Sequence, residues 1–120
     1  MKKILIIEDE EILLNLLNKK LTQEGYEVYL SRNGLEGLEK MKEIKPDIIL
    51  LDIIMPKMGG MEVMEEMQKN EELKKIPVVI ISNSGQPVEI DKIKKLGAKD
   101  WLIKTEFNLQ EVVEKVNKYT

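Results

Sequence analysis

Four short apolar runs in this chain each end in a side chain that can do chemistry. Ile4-Leu5-Ile6-Ile7 runs into Glu8-Asp9-Glu10-Glu11, and Ile48-Ile49-Leu50-Leu51 into Asp52. Ile76-Pro77-Val78-Val79-Ile80-Ile81 leads to Ser82, and Trp101-Leu102-Ile103 to Lys104. If these ends lie together, Glu8, Asp9 and Asp52 bring three carboxylates into one shallow pocket, and like charges that close need a counter-ion. Hard oxygen ligands with open positions suit Mg²⁺, which keeps several waters and takes one or two carboxylates plus phosphate oxygens. Lys104 adds a positive charge and Ser82 a hydroxyl donor. Such a site would stabilise a phosphoryl group carried on Asp52 through charge and hydrogen bonds. Each part has a plainer explanation by itself: Glu8 to Glu11 as the acidic first turn of a helix, Asp52 as the start of a loop, Ser82 as a turn residue, Lys104 as a solvated lysine. Those separate explanations do not account for all four following successive apolar runs.

Composition narrows the field. The 120 residues fit one domain with a core of its own. There is no cysteine and no histidine, which removes disulfides, thiolate sites, histidine metal sites, Ser-His triads and phosphohistidine on this chain. A net charge of -3 with 34% charged residues of both signs gives no general reason to bind nucleic acid or an anionic membrane. No apolar run approaches the roughly 18 residues of a spanning helix, and the four apolar residues after Met1-Lys2-Lys3 are too few for a signal peptide. The expectation is a cytoplasmic protein without membrane insertion. Its Lys, Glu and Ile richness is compatible with a thermophile.

The elements that must position these residues follow from periodicity. Short continuous apolar runs fit strands buried on both faces of a parallel sheet. After the first run, Leu13, Leu17 and Leu21, with Ile12 and Leu16, mark a helical face; Asp9 is expected to cap that helix and Gly25 to stop it. Tyr26 to Leu30 reads as a second strand, and Leu35, Leu38 and Met41 as a second helix ended before Lys45-Pro46. Asp47 to Leu51 is the third strand, and Gly59-Gly60 opens a helix carrying Met61, Met64 and Met67 as core residues. The fourth strand begins at its proline, where no ladder bond is lost. Ser82-Asn83-Ser84-Gly85 is a polar turn, and a helix with Ile90, Ile93 and Leu96 follows, closed by Gly97. Leu109, Val112, Val113 and Val116 lie on one face of a last helix. Strict alternation with short connections predicts an α/β fold: a single doubly wound, five-stranded parallel sheet of order 2-1-3-4-5 with five helices, one domain over 1–120. In that order the first and third strands meet at the switch point, where open α/β sheets bind ligands beyond the strands' carboxyl ends.

With those motifs in place the chain resembles a response-regulator receiver domain of the chemotaxis-regulator type. The resemblance is carried by Ile6-Ile7-Glu8-Asp9-Glu10, Asp52-Ile53-Ile54-Met55-Pro56-Lys57-Met58-Gly59-Gly60, Ser82, and Gly97-Ala98-Lys99-Asp100-Trp101-Leu102-Ile103-Lys104. It covers the whole chain, with the motifs in the family's order. It implies that Asp52 accepts a phosphoryl group from the phosphohistidine of a histidine kinase or phosphotransfer protein. It implies that Glu8, Asp9, Asp52 and the backbone carbonyl of Ile54 hold Mg²⁺, and that Ser82 and Lys104 contact phosphoryl oxygens. Trp101 stands at the family's aromatic switch position, coupled to Ser82. The surface of the fourth helix, fifth strand and fifth helix is then the face that meets a downstream protein target. The expectation is a stand-alone signalling protein whose site catalyses only its own phosphotransfer and a slow dephosphorylation.

Departures from the family's pattern are Gly59 for a frequent aspartate, Asn83 for a small residue, Trp101 for Tyr or Phe, and Thr105 for the usual proline after Lys104, so that the Lys104-Thr105 peptide is expected to be trans. Other readings stay open at this point. An aspartate-nucleophile phosphatase of the haloacid-dehalogenase type needs a second aspartate two residues past the nucleophile, where this chain has Ile54. A flavodoxin-like FMN carrier needs a phosphate cradle after the first strand, where this chain has four acidic residues. A phosphorylation-independent interaction module needs none of the motif residues, all of which are present.

Overall fold

The computed structural model describes residues 1–82, 87–104 and 108–120, with the side chains of 87–90 excepted. Five parallel strands form one sheet in the order β2-β1-β3-β4-β5. They are β1 (Lys3–Ile7), β2 (Glu27–Ser31), β3 (Ile48–Asp52), β4 (Val78–Ser82) and β5 (Asp100–Ile103). The helices between and after them are α1 (Glu11–Gln23), α2 (Gly34–Ile44), α3 (Gly60–Gln68), α4 (Pro87–Lys95) and α5 (Leu109–Tyr119). A single 3₁₀ turn, Leu73–Lys75, follows α3 and was not legible in the sequence. Asn83, Ser84, Gly85, Thr105, the Lys104-Thr105 peptide and the side chain of Ile90 lie outside the described residues.

Side chains alternate across a strand, and the two faces of the sheet make two cores. Ile4, Ile6, Ile48, Leu50, Val79, Ile81 and Leu102 pack with Leu14, Leu17 and Leu21 of α1 and with Val112, Val113 and Val116 of α5. Leu5, Ile7, Ile49, Leu51, Val78 and Ile80 pack with Met41 of α2, with Val63, Met64 and Met67 of α3, and with Ile93 of α4. Met64 and Met67 of α3 are therefore core residues, as their spacing predicted, whereas Met61 is only partly buried against that core. All five residues of β3 are buried, which is why that strand reads as one continuous apolar run into Asp52.

Several local expectations need correction. The buried stripe of α1 runs through Leu14, Leu17 and Leu21, with Leu13 only partly buried, while Ile12 (80% exposed) and Leu16 (46%) face outward. Asp9 does not cap α1: the N-cap is Glu10, which makes no side-chain capping bond. In α2 the buried face is Gly34, Gly37 and Met41, and Leu35 is exposed. Gly25 does follow the end of α1, with φ of 94°, in the left-handed region that glycine occupies without cost. β2 is displaced by one residue from the expected span, and Asp52 and Ser82 are the last residues of their strands rather than the first of the loops.

The start of β5 is tied to α5. Asp100 accepts hydrogen bonds from Lys115 Nζ at 2.8 Å, from its neighbour Trp101 N–H at 2.8 Å and from the Tyr119 hydroxyl at 3.1 Å. Burial raises the pKa of Asp100, and these donors more than reverse that, leaving it below the ordinary carboxylate value. A carboxyl whose folded pKa is depressed adds stability above the unfolded value of about 3.9 and loses it as pH falls through the folded value. Asp100→Asn is expected to cost about 1–2 kcal/mol at neutral pH. The stabilities of the two proteins should converge as acid carries the pH down through the depressed folded pKa of Asp100, where its carboxyl too becomes neutral. Denaturant titration at neutral pH and in acid measures this; an equal gap at the two would show that the charge of Asp100 contributes nothing.

Candidate functional site

The carboxyl edge of the sheet collects the singled-out residues, and register explains how. Ile7 of β1 pairs with Leu51 of β3, so Glu8 and Asp52, the next residue of each strand, leave the ladder side by side. Asp52 is level with Ile81 of β4, and Ser82 with Ile103 of β5. The chain leaves β5 at Lys104, whose N–H donates to the Ser82 carbonyl at 2.7 Å. The Glu8 N–H donates to the Ser31 carbonyl of β2 at 3.0 Å, holding that end of β1 inward.

The loop after Asp52 is clamped by two glycines. Gly60 N–H donates to the Ile53 carbonyl at 2.8 Å, and a Cβ on Gly60 would lie 2.3 Å from the Asp52 carbonyl oxygen. Gly34 N–H donates to the Met58 carbonyl at 3.0 Å, and a Cβ there would lie 2.5 Å from that oxygen. The contact is backbone on backbone in both cases, so no side-chain rotation would relieve it. The starts of α2 and α3 thus press the loop against the end of β3.

Within this frame Lys104 is the centre of the charge cluster. Its Nζ lies 3.2 Å from Asp52 Oδ2, 3.0 Å from Glu8 Oε1 and 3.1 Å from Glu10 Oε1. Glu8 (0% exposed) and Asp52 (2%) are buried, whereas Asp9 is exposed. Burial and the neighbouring Glu8 carboxylate push the pKa of Asp52 up to about 7, against the opposing pull of Lys104. Burial lowers the pKa of Lys104, but the carboxylates around it outweigh that and hold it above its ordinary value. One ammonium therefore does not balance the acidic groups that meet here.

The donor set fits a divalent cation. Glu8, Asp9 and Asp52 each offer a carboxylate oxygen, and these oxygens lie within 4.8 Å of one another. Glu8 Oε1 is buried without a well-directed hydrogen bond, although it touches the Lys104 ammonium. A buried carboxylate oxygen in that condition is costly unless a further charge meets it. All-oxygen ligation suits Mg²⁺ or Mn²⁺ over softer metals.

The remaining expected residues lie around this centre. Ser82 is buried at the end of β4. Trp101 is half-buried on β5, packs against the core that holds Ile80 and Ile93, and carries Lys94 Nζ 4.7 Å from its ring centroid. Ile54 projects outward, 69% exposed, and its N–H lies 3.4 Å from Asp52 Oδ1. Sequence reasoning assigned no partner to Glu10, and the acidic run after β1 was the only signal pointing to it.

Comparison with known proteins agrees with this geometry. Residues 4–117 match the family described as response regulator receiver domain. The chain is 39% identical over 118 residues to the chemotaxis protein CheY of Thermotoga maritima, covering 98% of this chain and 96% of that one. Its fold superimposes on the chemotaxis protein CheY4 of Vibrio cholerae with a TM-score of 0.93 at 27% identity, covering 100% and 99% of the two chains. The Mn²⁺-bound form of response regulator Rcp1 is similar with a TM-score of 0.82 at 29% identity, over 98% of this chain and 91% of that one.

Proposed function

Because this chain belongs to the response regulator receiver domain family, whose members are signalling proteins, we propose that Asp52 is its phosphoryl acceptor and that phosphorylation switches its binding to a protein target. The observation that carries this reading is the buried Asp52 carboxylate 3.2 Å from the Lys104 ammonium, with Glu8 and Asp9 beside it. The donor is a histidine kinase or a phosphotransfer protein. Glu8, Asp9, Asp52 and the Ile54 carbonyl would hold Mg²⁺, a reading supported by the buried Glu8 Oε1, which lacks a well-directed hydrogen bond, and by the metal-bound relative. When bound, Mg²⁺ supplies positive charge to the carboxylates and a coordination site for a phosphoryl oxygen.

The chain's own residues do the rest. Asp52 offers a carboxylate oxygen as the nucleophile. Lys104 neutralises charge on the transferring group, and Ser82 offers a hydroxyl to it. Transfer then rests on positioning and electrostatics rather than on covalent chemistry elsewhere in the chain. The phosphorylated aspartate adds close to two negative charges and new acceptor oxygens, which draw Ser82 and Lys104 toward it. Trp101, two strands from Asp52, is the side chain that couples this change to the face formed by α4, β5 and α5, the surface for the downstream target. No helix among the described residues is long and apolar enough to cross a membrane, and we assign the protein to the cytoplasm with its kinase. The test is incubation with Mg²⁺ and acetyl phosphate, followed by intact mass. One added phosphoryl group supports the reading, and none overturns it.

The lifetime of that group is expected to depend on Ile54. Hydrolysis needs a water aligned behind the phosphorus. The Ile54 side chain, two residues past the acceptor, cannot hydrogen-bond such a water, and it is exposed at the mouth of the site. Ile54→Asn should shorten the lifetime by about tenfold, the effect of roughly 1.4 kcal/mol on the barrier. Decay after removal of the donor measures it; equal decay in the two proteins would show that Ile54 does not set the lifetime.

A further inference from the structure

An ammonium group has three N–H donors, and in Lys104 all three are taken by carboxylates. They go to Glu8 Oε2 at 3.1 Å, Glu10 Oε1 at 3.1 Å and Asp52 Oδ2 at 3.2 Å. A phosphoryl oxygen arriving on Asp52 can gain a Lys104 donor only if a present partner is released. Glu8 is fully buried, so water cannot replace the bond its release would lose, and only the Glu10 N–H and a bound cation would be left to meet its charge. Asp52 itself carries the arriving group. The Glu10 side chain is 55% exposed, so water can replace the bond it loses.

Glu10 is also free to let go. It is the N-cap residue of α1, but its side chain makes no capping bond, so the helix does not depend on it. Its backbone N–H donates to Glu8 Oε2 at 3.1 Å, which keeps the main chain in place while the side chain swings out. We infer that Glu10 is a positioning residue: it holds Lys104 by competing for the donor that a phosphoryl oxygen needs, and so sets how readily the site accepts a phosphoryl group. This rests on Asp52 being the acceptor. In the step with acetyl phosphate, an Asp52 oxygen–phosphorus bond forms as the acetate oxygen–phosphorus bond breaks. Acetate leaves with the bonding electrons, no proton is transferred, and one Lys104 N–H passes from Glu10 Oε1 to a phosphoryl oxygen.

The test compares the natural protein with Glu10→Gln and Glu11→Gln, using trifluoroberyllate as a non-reacting mimic of the phosphoryl group at saturating Mg²⁺. Calorimetry gives its affinity. Glu11 is the adjacent residue in sequence and also acidic, but it pairs with Arg32 instead of Lys104, so its variant controls for simple loss of negative charge. Glu10→Gln should bind the mimic about two- to fivefold more tightly, the range set by an ion pair with one exposed partner, and should accept phosphate from acetyl phosphate correspondingly faster. Glu11→Gln should match the natural protein. Equal or weaker binding by Glu10→Gln, or an equal gain in Glu11→Gln, would overturn the inference while leaving Asp52 as acceptor. If the natural protein neither binds the mimic nor gains phosphate, both the inference and the reading beneath it fail.

Discussion

An Asp52→Asn protein should gain no phosphoryl group under conditions that fully modify the natural protein, and in chelator it should be the more stable of the two. The first effect is complete, because an amide oxygen is too poor a nucleophile to replace the carboxylate, and Asp52 is the acidic residue held between Glu8 and Lys104 at the end of the central strand. The second comes from the same burial. Asp52 is 2% exposed beside Glu8, and its pKa is raised to about 7 by burial and then by that neighbour. Its charge therefore costs folding free energy near neutral pH. Asparagine removes the charge, keeps an acceptor for Lys104 and can donate to Glu8. The gain should be on the order of 1 kcal/mol, since each pKa unit corresponds to about 1.36 kcal/mol between protonation states. Denaturation in chelator, paired with intact mass after acetyl phosphate, measures both effects. A phosphoryl group still added to Asp52→Asn would remove Asp52 as the acceptor. A less stable variant would show that Lys104 more than offsets the cost of burying the carboxylate.

How much of this was legible in the sequence differs from element to element. The strands and their ends were readable because a strand buried on both faces leaves a continuous apolar run, and the first polar residue marks where the sheet's edge lies. That is why Asp52, Ser82 and Lys104 could be collected on one edge before any coordinates. The helix faces were less readable. In α1, Ile12, Leu13, Leu14, Leu16, Leu17 and Leu21 cover more of the helix circumference than the sheet can bury. Only packing into the core that also holds Ile4, Ile6 and Ile48 decides that Leu14, Leu17 and Leu21 go inside. In α2 the buried face is made partly of glycine, which carries no hydrophobic signal. A Cβ on Gly37 would come 2.4 Å from Ile7 Cδ1, so closeness of the backbone selects that face. The three-way ion pairing of Lys104 was beyond sequence reasoning too. It depends on a side chain 94 residues from Glu10 reaching across the edge of the sheet in one rotamer.

Asp9 offers a way to separate metal binding from folding. Three of the carboxylates could share one cation, but they are not equivalent. Glu8 and Asp52 are buried and paired with Lys104, so replacing either changes the stability of the metal-free protein as well as the affinity for an ion. Asp9 is exposed, no hydrogen bond or ion pair of its side chain is seen among the described residues, and it does not cap α1. It still lies with Glu8 and Asp52 in the group of oxygens that could share one cation. Asp9→Ala should therefore leave the melting temperature of the metal-free protein nearly unchanged. Its affinity for Mg²⁺ or Mn²⁺ should fall by at least about tenfold, because changes even to outer-shell partners of a metal typically cost that much. Phosphorylation by acetyl phosphate should slow at limiting Mg²⁺ and recover as Mg²⁺ is raised, since the acceptor and Lys104 are intact. Trp101 fluorescence, or calorimetry if the ring does not respond, gives the titration curves. Superimposable curves for the natural and Asp9→Ala proteins would remove Asp9 from the ligand set. A slow rate that added Mg²⁺ cannot restore would mean that Asp9 acts on the phosphoryl group by some route other than the metal.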